Sequence, residues 1–102
     1  MRIRVRRVGG IAGNVALAAE LETSGLPSPD ASRLEAAVTG LPWGGGDVAP
    51  ARPDAFRYEV DLPDEPGRGT AVLDETGLEG DLAPLRSHLQ QNGTVEPARR
   101  RG

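Results

Sequence analysis

The chain has no cysteine and no lysine, one histidine and three aromatic residues among its 102 positions. Without cysteine there are no disulfides and no thiolate metal sites, and cysteine usage leaves the redox compartment open. A single histidine, His88, offers no imidazole pair for a metal and no base beside a nucleophile. With only Trp43, Phe56 and Tyr58 as aromatics and a hydrophobic share of 37%, the core must be thin and built from Leu, Val, Ile and Ala. A core of that kind leaves little room for a deep pocket. No apolar run approaches the length of a membrane span, and none follows the basic N-terminus as a signal peptide would require. The expectation is a soluble cytoplasmic protein, with its oligomeric state open and a monomer assumed.

Because lysine is absent, all twelve basic residues are arginine, and seven lie at the two ends: Arg2, Arg4, Arg6, Arg7, Arg99, Arg100 and Arg101. Between residues 8 and 98, five arginines face fifteen acidic residues, so the net charge of -3 conceals an acidic body with basic ends. The length suits one small domain. Residues 1–91 carry the pattern of a domain; residues 92–102 carry none and read as a disordered basic tail.

Hydropathy alternates along Arg2–Val8, with Ile3 and Val5 on one face and Arg2, Arg4 and Arg6 on the other, which predicts a strand. Residues 14–22 place Val15, Leu17, Ala19 and Leu21 on one parity and predict a second, although the alanines would also allow a helix. Ser28-Pro29-Asp30 reads as a helix start with Ser28 as N-cap. Ala31, Leu34, Ala37, Val38 and Leu41 then repeat at helical steps, and Gly40 and Pro42 end the run. Phe56 to Leu62 is the clearest strand, four large apolar residues alternating with three charged ones. Residues 68–74 predict a fourth strand, with either Ala71 and Leu73 or Thr70 and Val72 facing inward. Asp81 reads as the cap of a second helix carrying Leu82, Leu85 and Leu89. The order ββαββα predicts an α+β domain with a four-stranded antiparallel sheet packed by helix.

Little in this pattern is chemistry. The carboxylates Asp61, Asp64, Glu65, Asp74 and Glu75 lie in turns or on the wet side of strands, which suits a solvated surface better than an acid–base pair. Gly44-Gly45-Gly46 lacks the Lys-Ser/Thr of a phosphate loop and reads as linker. No catalytic residue, metal ligand or cofactor is expected, so the chain reads as a non-enzyme. The arginine stripe raises nucleic-acid binding. The acidic body and the scarcity of stacking aromatics oppose it, and pairing of the arginines with Glu20, Glu22, Glu59 or Asp61 is the plainer expectation. The segment that stands out is Gly9-Gly10-Ile11-Ala12-Gly13, between the first two strands: permissive backbone presenting one branched apolar side chain.

Met1 to Gly13, the helix around Leu34, Asp54-Ala55-Phe56-Arg57-Tyr58-Glu59-Val60 and the closing leucine helix together resemble the emfourin family, small bacterial inhibitors of thermolysin-like (protealysin-type) zinc metallopeptidases. The resemblance spans roughly residues 1–91. Ile11 stands where the family pattern places an aromatic, and the Gly-rich stretch 44–46 is a second departure. The resemblance implies the same fold and stoichiometric inhibition by occupying a peptidase cleft, with any zinc belonging to the enzyme. Two segments qualify as the inserted edge. One is Gly9, Gly10, Ile11, Ala12 and Gly13, with Ile11 as anchor; the other is Ser24-Gly25-Leu26-Pro27, with Gly25 and Leu26 as its contact residues and Leu26 held by prolines. The alternatives are a nucleic-acid-binding module on the arginine face and a structural or regulatory domain.

Overall fold

A computed structural model describes residues 1–9, 15–44, 56–74 and 76–97; of Val15, Glu96 and Pro97 the backbone alone is described. Five strands form one antiparallel sheet: β1 (Arg2–Gly9), β2 (Val15–Glu22), β3 (Phe56–Asp61), β4 (Thr70–Asp74) and β5 (Thr94–Pro97). Their spatial order is β4-β3-β1-β2-β5. Among the described residues two α-helices, α1 (Ser28–Thr39) and α2 (Ala83–Asn92), accompany the sheet and make the domain α+β.

The sheet has five strands where four were expected, and the order ββαββα is extended by a strand after α2. Residues 94–97, read as part of a patternless tail, pair with β2 through Val15↔Pro97, Leu17↔Val95 and Ala18↔Thr94. The reason is geometric. A β2 paired only with β1 would leave a row of backbone groups open along its other side, and the chain leaving α2 at Gly93 is already beside it.

Alternation does the rest. Ile3 and Val5 on β1, Tyr58 and Val60 on β3, and Ala71 on β4 are buried in one cluster with Leu34 and Val38 of α1 and Leu85 and Leu89 of α2. The open question on the fourth strand is thereby answered: Ala71 and Leu73 face the helices. Val72 lies on the opposite face, where it pairs with Glu59. Leu78, in the connection after β4, is 0% exposed and belongs to the same core. It sits in a stretch with no period to reveal it.

Both expected helix caps differ in detail. α1 begins at Ser28 itself, because the Pro27 carbonyl accepts the Ala31 N–H at 2.9 Å; Pro27 is the N-cap and no side chain caps the helix. Asp81 lies in a 3-10 turn, Gly80–Leu82, that leads into α2, and Leu82 takes the cap position. Gly40 closes α1 as expected, its N–H reaching the Ala36 carbonyl at 3.2 Å.

Candidate functional site

The two segments singled out by sequence attach at opposite ends of the sheet. β1 and β2 are in register from Arg2↔Glu22 to Val8↔Ala16. Gly9 therefore ends the ladder at one end, and Glu22, followed by the turn that carries Gly25 and Leu26, ends it at the other. Eight residues of strand set these ends about 24 Å apart. One cleft could not be filled by both.

Gly10, Ile11, Ala12 and Gly13 lie outside the described residues; their root does not. Gly9 has φ 97°, a conformation that β-carbon-bearing residues rarely adopt. It stands opposite Phe56 of β3. β1 is paired on both sides, with β2 and β3, and β2 on both sides, with β1 and β5. Both strands that lead into residues 10–14 are thus interior strands of the sheet, which restrains the root. Three side chains brace it further. The Phe56 ring meets Tyr58 edge-on with centroids 5.4 Å apart, and the Arg7 guanidinium carbon lies 5.3 Å from the Phe56 ring centroid. Tyr58 is buried, Phe56 half-buried and Arg7 exposed.

The other end is locked differently. Thr23–Gly25 form a 3-10 turn in which the Leu26 N–H reaches the Thr23 carbonyl at 3.0 Å. The Met1 ammonium donates to Glu22 at 2.9 Å and to Thr23 Oγ1 at 3.0 Å, and the buried Thr23 hydroxyl donates to Glu35 at 2.5 Å. The Glu22 carboxylate also accepts the Ser24 N–H. The ammonium bond, first, and then the Ser24 bond hold the Glu22 pKa below its ordinary value, and Glu22 in turn raises that of the amino group. Gly25 is exposed with open space around it. Leu26 is half-buried and packs against the hydrophobic core. Its side chain is already engaged within the fold.

The arginine face is largely compensated. Arg6 and Arg57 both reach Glu59, the latter at 3.2 Å, and Arg2 lies 3.9 Å from Glu20 and 3.7 Å from Asp64. Arg6–Glu59 and Arg2–Glu20 join neighbouring strands, as expected of a solvated sheet face, while Arg57–Glu59 lies within β3 and Asp64 in a turn. His88 has a structural part. Its Nε2 donates to the Glu20 carbonyl at 2.7 Å, and Asn92 donates to its Nδ1 at 3.3 Å. Glu20 lies beyond the last β5 partner, Ala18, so the imidazole takes up a strand carbonyl that β5 does not reach. Among the described residues no three His, Asp or Glu side chains gather as metal ligands, and no helix is long and apolar enough to cross a membrane.

Sequence reasoning missed Arg7 as part of this region. It shares the parity of Ile3 and Val5 but carries a charge, and that break in an otherwise apolar face was the available signal.

The architecture is thus that of a small α+β domain whose central hairpin is restrained at its root. Residues 5–90 match the emfourin family, and the chain belongs to that family of protein inhibitors. No curated protein and no solved structure matches the chain.

Proposed function

We propose that this protein inhibits thermolysin-like zinc metallopeptidases by inserting the segment Gly9–Gly13 into the active-site cleft, with Ile11 as its apolar anchor. The observation that carries the choice of segment is the root of the hairpin. An inhibitor gains affinity when its inserted segment is held before binding, since less freedom is then lost on docking. Gly9 leaves one interior strand and residue 15 enters another, and Phe56, Tyr58 and Arg7 pack at that junction. The rival, Leu26, would have to leave the core to enter a cleft.

Such a cleft takes extended backbone beside its zinc and favours a large apolar residue just downstream of the scissile bond. Ile11 would fill that subsite, and the glycines beside it permit close backbone approach. The zinc is the enzyme's, met by a backbone carbonyl or carboxylate of this chain. Family membership and the packing at the hairpin root support this reading.

The experiment is a titration of thermolysin and of a protealysin-type peptidase with the purified chain, repeated with Ile11→Asp and Leu26→Asp. Ile11→Asp should abolish inhibition while leaving the melting transition in place. Leu26→Asp should lower stability and leave inhibition by the folded fraction intact. The opposite pattern would move the inserted edge to Leu26.

A further inference from the structure

One row of the sheet departs from the logic of the core. Leu73, Tyr58, Arg7, Leu17 and Val95 stand side by side across all five strands, on the face that the helices cover. In the adjacent row Ala71, Val60 and Val5 are fully buried and Ala19 is half-buried. In the Arg7 row burial is broken, and Leu73 is half-buried. Tyr58 is buried and Leu17 half-buried, while Arg7 is exposed and Val95 is 72% exposed. Val95 is the large apolar side chain left exposed among the described residues. Arg7 has no carboxylate within ion-pair distance among them, whereas Arg2, Arg6 and Arg57 each have one. Its guanidinium lies instead over Phe56, whose ring is half-buried.

We infer that Arg7, Phe56, Leu17 and Val95 form a second contact surface for the inhibited peptidase, with Arg7 facing a carboxylate on the rim of the cleft. The inference rests on the reading of Gly9–Gly13 as the inserted segment. Three observations select this occupant. The patch is continuous with the hairpin root, since Arg7 is two residues from Gly9, and Leu17 is two residues from residue 15. Its centre is a cation with no counterion among the described residues, lying over an aromatic ring. That arrangement lets an exposed guanidinium donate to a carboxylate while it lies over the Phe56 ring. Its flank is apolar, as expected where a polar contact is surrounded by water-excluding side chains. A peptidase that received the loop would meet this row next.

A rim cation acts chiefly on association rate and on its salt dependence, whereas a buried apolar contact acts on dissociation. The test measures both rates for inhibition of whichever peptidase, thermolysin or protealysin-type, the unaltered chain inhibits, at low and at high salt. Arg7→Glu should slow association about tenfold at low salt, with the difference closing at high salt. Arg7→Met, which keeps the stem, should show a smaller loss of the same kind. Val95→Asp should speed dissociation about tenfold. Arg2→Glu, at the far end of the sheet, should change neither rate. Amide exchange in the complex should show added protection in residues 5–8, 56–58 and 94–95. If the unaltered chain inhibits and folded Arg7→Glu and Val95→Asp match it in both rates, the second surface is refuted while the inserted segment stands. If the unaltered chain inhibits neither enzyme, both readings fail together. A chain that is dimeric in solution, and becomes monomeric on Val95→Asp with inhibition unchanged, would assign the patch to a second copy and overturn the inference.

Discussion

Replacing Gly93 by alanine should loosen the fifth strand and lower the stability of the whole domain. Gly93 closes α2 and starts the passage into β5, its N–H bonded to the Leu89 carbonyl at 2.8 Å. Its backbone, φ -66° and ψ 146°, suits any residue, so the argument is one of space and not of conformation. A β-carbon there would lie 2.3 Å from the Leu89 carbonyl oxygen and 2.8 and 3.0 Å from Leu17 Cγ and Cδ1. Ordinary contact needs roughly 3.5 Å, so one side must move by about an ångström. Leu17 can give a little. The carbonyl is tied into the helix end, so the chain at residue 93 must shift and carry β5 away from β2. Forced overpacking costs about 1–3 kcal/mol, and loosening one or two ladder bonds adds about 1 kcal/mol each. We expect a loss of about 2–5 kcal/mol, a drop in melting temperature on the order of 10–40 °C for a domain of this size. The assay is urea denaturation followed through Trp43, the single tryptophan, whose Nε1 bonds the Val38 carbonyl at 2.9 Å. Hydrogen exchange at residues 94–96 reports on β5 itself. Gly25→Ala is the control, since nothing lies within 4 Å of a β-carbon there; it should be neutral or stabilising by up to about 1 kcal/mol. A Gly93→Ala variant as stable as the unaltered chain, with β5 amides equally protected, would refute the placement of β5 against β2.

Leu78→Ala should cost about 2–5 kcal/mol, because a fully buried leucine outside any regular element still leaves a cavity; chemical denaturation measures it, and a loss below 1 kcal/mol would contradict its burial. In a chain beginning at Met1, the pair between the amino group and Glu22 should shape the pH profile of stability. The Glu22 pKa is depressed, so its contribution is present above the ordinary value of 4.5 and is lost as pH falls through the folded value. The amino pKa is raised, so its contribution is complete below 8.0 and is lost as pH rises through the folded value. Melting temperature against pH should therefore fall away on both flanks, and Glu22→Gln should flatten both; an unchanged profile would show that the contact does not persist in solution. Thr23→Val should cost about 1 kcal/mol by removing the buried hydroxyl that bonds Glu35, as read by the same melts.

How far the sequence carried the fold can be judged element by element. β1, β3 and the two helices were legible because each sets large apolar residues against charged ones at a fixed period, and period is what the eye can read. β4 was legible as a strand, but its inward face was not: Ala71 and Val72 are both buried, on opposite sides of the sheet. β5 was not legible. Thr94-Val95-Glu96-Pro97 is too short for a period, its one large apolar residue is left exposed, and its existence depends on an unpaired edge of β2 far away in sequence. The helix starts were misjudged by a residue or two because a backbone carbonyl at Pro27 and a 3-10 turn before α2 took the place of the side-chain caps. At the candidate site, alternation located the hairpin and its root, while the charge on the buried parity at Arg7 was a signal left unread. That its guanidinium would settle on Phe56 depends on the β1–β3 register, a pairing across about fifty residues that no local pattern encodes.

The central claim is that Ile11, carried on the restrained root of β1 and β2, enters a metallopeptidase cleft. The most direct measurement is the residual activity of thermolysin and of a protealysin-type peptidase titrated with the unaltered chain and with Ile11→Asp, both shown to be folded. The account predicts stoichiometric inhibition of at least one enzyme by the unaltered chain and a loss of at least a hundredfold in Ile11→Asp, the scale of about 3 kcal/mol set by putting a charge where an apolar anchor is buried. Inhibition of equal strength by both chains, or none by either, would contradict it.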